Sequence, residues 1–247
     1  MGERREPTAA GYLMAVDTSS ELLGVGLLPR YSEGDKPITD TESDKIATIE
    51  VDAGLHHVER VMPAVEELLT VHEVNVTDLL GLLAARGPGS FTGLRIGVSL
   101  LKGISAVTGA PILLVPTLEA FAEPFAREEG LLLSALDARK GRFYVQFYRR
   151  GTYLTPALDL TVPETAERAS SLLEPGEPII LVGPDSGKLR EQIGLSCTLP
   201  ALRRRSAVRG LLIAGDRRLR AGERLPDEGG PLYLRGSEAV FPRRRRE

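Results

Sequence analysis

Two stretches 120 residues apart share one layout, and a chain built that way has few folds open to it. In YLMAVDTSSELLGVGLL (residues 12–28) an apolar run ends at Asp17, a small polar turn follows, and Leu23, Val25 and Leu27 recur at every second position. In LLLSALDARKGRFYVQFY (residues 131–148) Asp137 stands where Asp17 stood, and Phe143, Val145 and Phe147 take the places of Leu23, Val25 and Leu27. Period two on the far side of a polar turn predicts a β-hairpin. A hairpin that returns at half the chain length predicts a duplicated unit.

The residues between the hairpins complete the unit. A strand is expected around residues 46–51, then a helix with Val58, Val61, Met62, Val65, Leu68 and Leu69 along one stripe, kinked by Pro63 or carrying it in the first turn. A strand over residues 79–85, a glycine-rich turn, a helix over residues 94–108 and a strand over residues 112–115 follow. Three strands, a helix, a strand, a helix and a strand make a ribonuclease-H-like lobe. Two of them make the α/β architecture of actin and the sugar kinases. The expected division is an N-terminal lobe over residues 1–116 and a smaller lobe over residues 117–247. In the smaller lobe a strand at residues 180–185 and a helix at residues 208–222 stand out, and residues 156–178 have several packings open to them.

Composition agrees. With 42% hydrophobic residues, 5% aromatics and no tryptophan, the 247 residues can bury a core made mainly of Leu, Val, Ile and Ala, as where helices cover a sheet. No apolar run reaches the roughly 18 residues of a membrane span, and MGERREPTAAG lacks the apolar centre of a secretory signal, so a soluble, cytoplasmic protein is expected. Cys197 is the one cysteine, which excludes an internal disulfide and a cysteine-cluster metal site. From Ala201 onward 13 Lys and Arg face 6 Asp and Glu, a net of +7, against −10 before it. Arg203 to Arg205, Arg217, Arg218 and Arg243 to Arg246 carry the surplus. No aromatic residues alternate with them to stack bases, which favours a solvated helix face and tail over phosphate contacts.

AARGPGSFTGLRIG (residues 84–97) joins a strand to a helix, the place where glycines let backbone N–H groups cradle a phosphate. It has no lysine and matches neither the Walker loop nor the dinucleotide fingerprint, so its first job is to turn the chain, with Ser90 or Thr92 capping the helix. If a nucleotide binds, Asp17, Thr18, Gly89, Ser90, Arg95 and Asp137 are the residues expected to meet it, with ATP or ADP and magnesium at a junction with a partner and no intrinsic cofactor. His56, His57 and His72 fall in no HExxH pattern, and His57 reads as a capping or interface residue. A triad of Ser90, His57 and Asp17 lacks a nucleophile elbow. No catalytic residue and no metal ligand are expected.

The helix LRIGVSLLKGISAVT has Leu94, Val98 and Leu101 on one stripe and Ile96, Leu100, Gly103 and Val107 on another. One sheet face covers only part of such a helix, and Gly97, Ser99, Gly103 and Ser105 let a second helix come close. A partner surface is expected from Val58, Val61, Met62 and Val65 of the preceding helix together with Leu94, Gly97, Val98, Leu100, Leu101, Gly103 and Ile104.

AVDTSS, ARGPGSFTGLRIG, VPTLEAFA, ALDARKGRFYV and PLYLR, in this order and spacing, closely resemble the TsaB family, also called YeaZ. The resemblance runs from Tyr12 to Arg235. It implies a non-catalytic subunit of the bacterial complex that attaches threonylcarbamoyl to the adenosine beside the anticodon of tRNA. The implied partners are the catalytic paralogue TsaD and the ATPase TsaE, with tRNA held through the complex and a homodimer formed through the same two helices. The paralogue carries two metal-binding histidines at i, i+4, and the resemblance puts Thr117 and Phe121 in their places. An ATP-dependent phosphotransferase using Asp17 and a glycoprotease-like metallopeptidase are the alternative readings.

Overall fold

The computed structural model describes residues 10–30, 44–200, 205–224, 229–232 and 234. Arg203, Arg204, Arg243 to Arg246, the residues before Ala10 and most of the 29–45 insertion lie outside the described residues.

Strands β1 (Gly11–Asp17) and β2 (Leu22–Arg30) form the first expected hairpin, and β3 (Ala47–Asp52) extends it. Helix α1 (His57–Val71), β4 (Leu79–Gly87), α2 (Phe91–Thr108) and β5 (Ile112–Pro116) complete a sheet of order β3-β2-β1-β4-β5, with β4 and β5 parallel to β1. The second sheet repeats this order after α3 (Thr117–Ala122). Strands β6 (Leu131–Asp137) and β7 (Arg142–Arg149) form the hairpin, β8 (Thr152–Tyr153) and β9 (Leu158–Thr161) pair with β7, and β10 (Ile179–Val182) and β11 (Cys197–Thr198) lie parallel on the far side of β6. Helices α4 (Val162–Leu172) and α5 (Ser186–Gln192) occupy the places of α1 and α2. The duplication is therefore real at the level of topology. The turns differ by one residue, since Asp17 pairs with Gly24 but Asp137 with Phe143.

Alternation within each strand sorts the core. Met14, Val16, Leu23, Val25 and Leu27 point to the side covered by α1 and α2, and Leu131, Leu133, Phe143, Val145 and Phe147 to the side covered by α4 and α5. Leu13, Ala15, Leu28 and Leu83 point the other way, onto α3 and α6 (Val208–Arg220), whose Leu118, Phe121, Val208, Leu211 and Leu212 also meet Leu136 of the second sheet. Helices α3 and α6 thus lie between the sheets. They cross closely: a side chain at Gly210 would begin 1.7 Å from the carbonyl oxygen of Ala120.

The stretch 156–178 resolves into β9 and α4, and the signal for it was in the sequence. Thr161 accepts the Glu164 N–H while the Glu164 carboxylate accepts the Thr161 N–H, a capping box, and Pro163 sits in the first turn. Pro63 lies in the interior of α1 rather than in its first turn.

Helix α6 has Ala207 at its N-cap, which offers no capping side chain, and no acidic residue in its first turn; Ser206 Oγ accepts the Val208 N–H. The first sheet supplies two carboxylates. Asp17 Oδ2 accepts the Ala207 N–H at 2.6 Å, and Glu50 Oε2 accepts the Ser206 N–H at 2.7 Å. Two carboxylates at a positive helix start stabilise it electrostatically as well as by hydrogen bonding. At the other end Arg30 and Arg220 flank the buried Asp216.

Candidate functional site

The turn DTSS of the first hairpin packs into the glycine-rich turn, and that contact explains the glycines. Ser90 caps α2 by accepting the Gly93 N–H, so the helix begins at Phe91, earlier than residue 94. The Ser90 N–H in turn donates to the Ser19 carbonyl at 2.7 Å, and Thr18 Oγ1 donates to the Gly93 carbonyl at 2.7 Å. A Cβ at Gly93 would stand 1.9 Å from the Thr18 oxygen, and one at Gly97 2.7 Å from Thr18 Oγ1. The loop holds a hairpin where a phosphate-binding loop holds its ligand.

The motif has a second copy that sequence reading missed. Gly183-Pro184-Asp185-Ser186 follows β10 and opens α5, as Gly87-Pro88-Gly89-Ser90 follows β4 and opens α2. Gly87 and Gly183 both have positive φ, at 113° and 106°. The shared G-P-x-S was the signal, hidden by a spacing that differs from that of the hairpins.

Both hairpin turns and both G-P-x-S turns line one cleft of about 490 Å³, walled also by Gly54, Leu55, Phe91, Leu136 and Tyr144. Its polar groups are largely committed. The Asp137 N–H donates to Asp185 Oδ2 at 2.9 Å and the Arg139 N–H to Asp137 Oδ1 at 2.7 Å. Arg139 pairs with Glu21 across the cleft at 2.8 Å, and Lys188 Nζ lies 2.5 Å from Asp137 Oδ2. Burial pushes the Asp137 carboxyl up, but Lys188 and the Arg139 N–H outweigh it and hold the group below the usual range. Asp185 goes the other way, raised by burial and by the neighbouring Asp137 charge.

Of the six residues expected at a nucleotide, Gly89, Ser90 and Asp137 line this cleft. The other three require correction. Asp17 is fully buried, with Oδ1 on the Ser19 N–H and Oδ2 on the Ala207 N–H; burial raises its carboxyl, and its place is at the start of α6. Thr18 is buried on Gly93. The Arg95 guanidinium lies 3.9 Å from the centre of the Phe91 ring rather than in the cleft. A nucleoside polyphosphate with magnesium does not fit these residues. Its magnesium ligand is spent on a helix, and the N–H groups of Ser90, Ser19 and Asp137 are spent on Ser19, Asp17 and Asp185.

Thr117 and Phe121 also have structural work. The Gly87 N–H donates to the buried Thr117 Oγ1 at 3.0 Å, and Phe121 is buried between α6 and the sheets. His57 is neither cap nor surface: His56 holds the N-cap position, while His57 is 5% exposed and its Nε2 has no hydrogen-bond partner. Among the described residues no group of His, Cys, Asp and Glu is placed to hold a metal, and no helix is long and apolar enough to cross a membrane.

The expected partner surface divides in two. Val61, Val65, Leu94, Gly97, Val98 and Leu101 are buried against the chain's own sheet, because the heptad-like spacing aims them inward, and they form no surface. Val58 (66% exposed), Met62 (42%) and Gly103 are outside, and Leu100 and Ile104 are half-buried beside them. Val107, 79% exposed, and Ile96 continue the stripe, and a side chain at Gly103 would meet nothing within 4 Å. The second stripe of α2 is the partly uncovered one, with Ile96, Leu100 and Ile104 resting on the core and Val107 outside it. The basic cluster is largely satisfied: Arg205 pairs with Glu50, Arg217 with Glu123 and Arg218 with Glu119.

Comparison with known proteins places this geometry. A model of the TsaD family, tRNA N6-adenosine threonylcarbamoyltransferase, matches residues 50–191. The TsaB protein of Bacillus subtilis, a tRNA threonylcarbamoyladenosine biosynthesis protein, is 32% identical over 185 residues, 73% of this chain and 74% of that one. The chain belongs to the TsaB family. The Escherichia coli TsaB is 33% identical over 140 residues, 56% of this chain and 55% of its own. YeaZ from Pseudomonas aeruginosa, 24% identical, superposes with a TM-score of 0.71 over 91% of this chain and 100% of that one, which shows the shared fold. Within this TsaB fold, Thr117 and Asp17 serve the architecture.

Proposed function

We propose that the chain is a non-catalytic subunit of the apparatus that transfers threonylcarbamoyl to the adenosine beside the anticodon of tRNA, and that it acts by pairing with the catalytic paralogue TsaD through α1 and α2. The observation that carries the reading is the partly uncovered stripe of Val58, Met62, Leu100, Ile104 and Val107 around the open position at Gly103. An apolar helix face interrupted by a glycine suits helix-on-helix packing, and a stable pairing buries on the order of 1,600 Å² in total. The membership in the TsaB family supports the pathway, and the committed donors of the cleft support the lack of ATP chemistry. The ATPase TsaE and tRNA engage the pair rather than this chain alone. In the paralogue's absence the same face is open to a second copy.

The test is co-elution with TsaD of the same organism. A mixed complex is expected on gel filtration, lost in Gly103→Arg, and the isolated chain should transfer no threonylcarbamoyl. A wild-type chain that leaves the elution of TsaD unchanged, or that turns over ATP alone with magnesium, would sink the reading.

A further inference from the structure

We infer that the cleft between the hairpin turns receives a basic side chain, an arginine or a lysine, from the same partner that covers α1 and α2. The inference rests on the pairing proposed above and extends it from a helix face into the interior of the fold.

The two surfaces are continuous. Leu55 and Phe91 line the cleft, and at 95% and 36% exposure they stand at the starts of α1 and α2, next to the partly uncovered stripe. A protein seated on the helices closes the mouth of the cleft. The charge inside is unbalanced. Among the described lining residues Glu21, Asp137 and Asp185 are acidic, and Arg139 and Lys188 are basic. Arg139 is taken by Glu21 and Lys188 by Asp137, which leaves the half-buried Asp185 with a backbone N–H and no ion pair of its own. The third observation is independent of charge. Ser19, 1% exposed, lines the same cleft, and its hydroxyl has the buried Asp17 carboxylate near it but no partner at good hydrogen-bond geometry. Buried hydroxyls are rarely left so, because the lost bond to water is not replaced.

A guanidinium or ammonium group answers both deficits. It donates to a hydroxyl oxygen and to a carboxylate and cancels the surplus charge. A phosphate group would do the reverse, meeting three carboxylates.

Calorimetry of the full chain with TsaD, at about 50 and about 300 mM salt so that screening differs, tests this. Asp185→Asn keeps an oxygen for the Asp137 N–H and removes the charge. It should weaken pairing about tenfold at low salt and flatten the salt dependence, while Glu167→Gln, an exposed acid on α4, changes neither. If Asp185→Asn unfolds the chain, Glu21→Gln removes one charge from the same cleft and should weaken pairing in the same sense. Affinity and salt slope equal to wild type, or tighter pairing, overturns the inference and leaves the pairing itself standing. Magnesium-ATP bound by the isolated chain, more tightly in Asp185→Asn, overturns it in favour of an anion site. Failure of the wild type to pair at all overturns both.

Discussion

At the scale of single residues the hairpin and the glycine turn form one object. Gly93→Ala would drive a methyl group into the Thr18 carbonyl, a backbone atom that cannot swing aside, and should cost about 1–3 kcal/mol in a urea unfolding curve. Gly103→Ala meets open space and should be neutral or slightly stabilising in the same experiment. The pair Asp137–Lys188 gives a pH test. Because the Asp137 carboxyl is held below its ordinary value, its contribution is present above pH about 4 and is lost as pH falls through the depressed value. Lys188→Met should therefore be less stable than wild type at neutral pH, and the two stabilities should converge in strong acid. Parallel curves down to that limit would show that the ion pair contributes nothing. Asp17 was legible in the sequence as a special residue, but its role was not. Its partner, Ala207, lies 190 positions away, and nothing local to an aspartate at a strand end announces a distant helix that lacks a cap.

At the scale of elements, α2 shows what periodicity can and cannot tell. The two apolar stripes were readable, and one sheet face covers only part of the helix: Ile96, Leu100 and Ile104 rest half-buried on the core while Gly103 and Val107 are exposed. Which stripe faced inward was not readable, because Leu94, Val98 and Leu101 differ in kind from Ile96, Leu100 and Val107 only by their neighbours in space. The distinction decides how variants behave. Leu101, fully buried, should cost about 2–5 kcal/mol as Leu101→Ala, and Leu101→Asp should unfold the chain rather than report on pairing. Gly103→Arg should leave the melting temperature alone and remove the complex. Helix α4 illustrates the opposite case, a local signal strong enough to be read but passed over. Thr161→Ala removes the capping oxygen and should cost about 1 kcal/mol, with no effect on pairing.

For the whole molecule, the doubled hairpin was enough to predict two similar sheets, and the structure has them in the same strand order. The repeat was less visible elsewhere because the second copy has short strands, β8 and β11, that give periodicity nothing to act on. The basic character of the last residues separates into two parts at this scale. Arg205, Arg217 and Arg218 are occupied by Glu50, Glu123 and Glu119 and are poor candidates for tRNA contact. Arg243 to Arg246 are the longest run of positive charge in the chain. Their removal should weaken tRNA binding by the assembled complex and lower its salt slope by up to about 0.9 for each phosphate that the tail neutralises, with subunit pairing unaffected. An unchanged affinity and slope would assign the tail to solvent.

The order in which the chain leaves a ribosome gives the placement of α6 a consequence of its own. Domains usually fold as they emerge, amino end first. Here one face of the opening sheet has only the short α3 over it until Val208–Arg220 appears, and the strands of the second sheet are already complete by then. A premature stop near residue 200 should thus spoil the half of the molecule made earliest and spare the half made last, so that nascent chains of that length expose Leu13, Ala15 and Leu83 to chaperones and proteases.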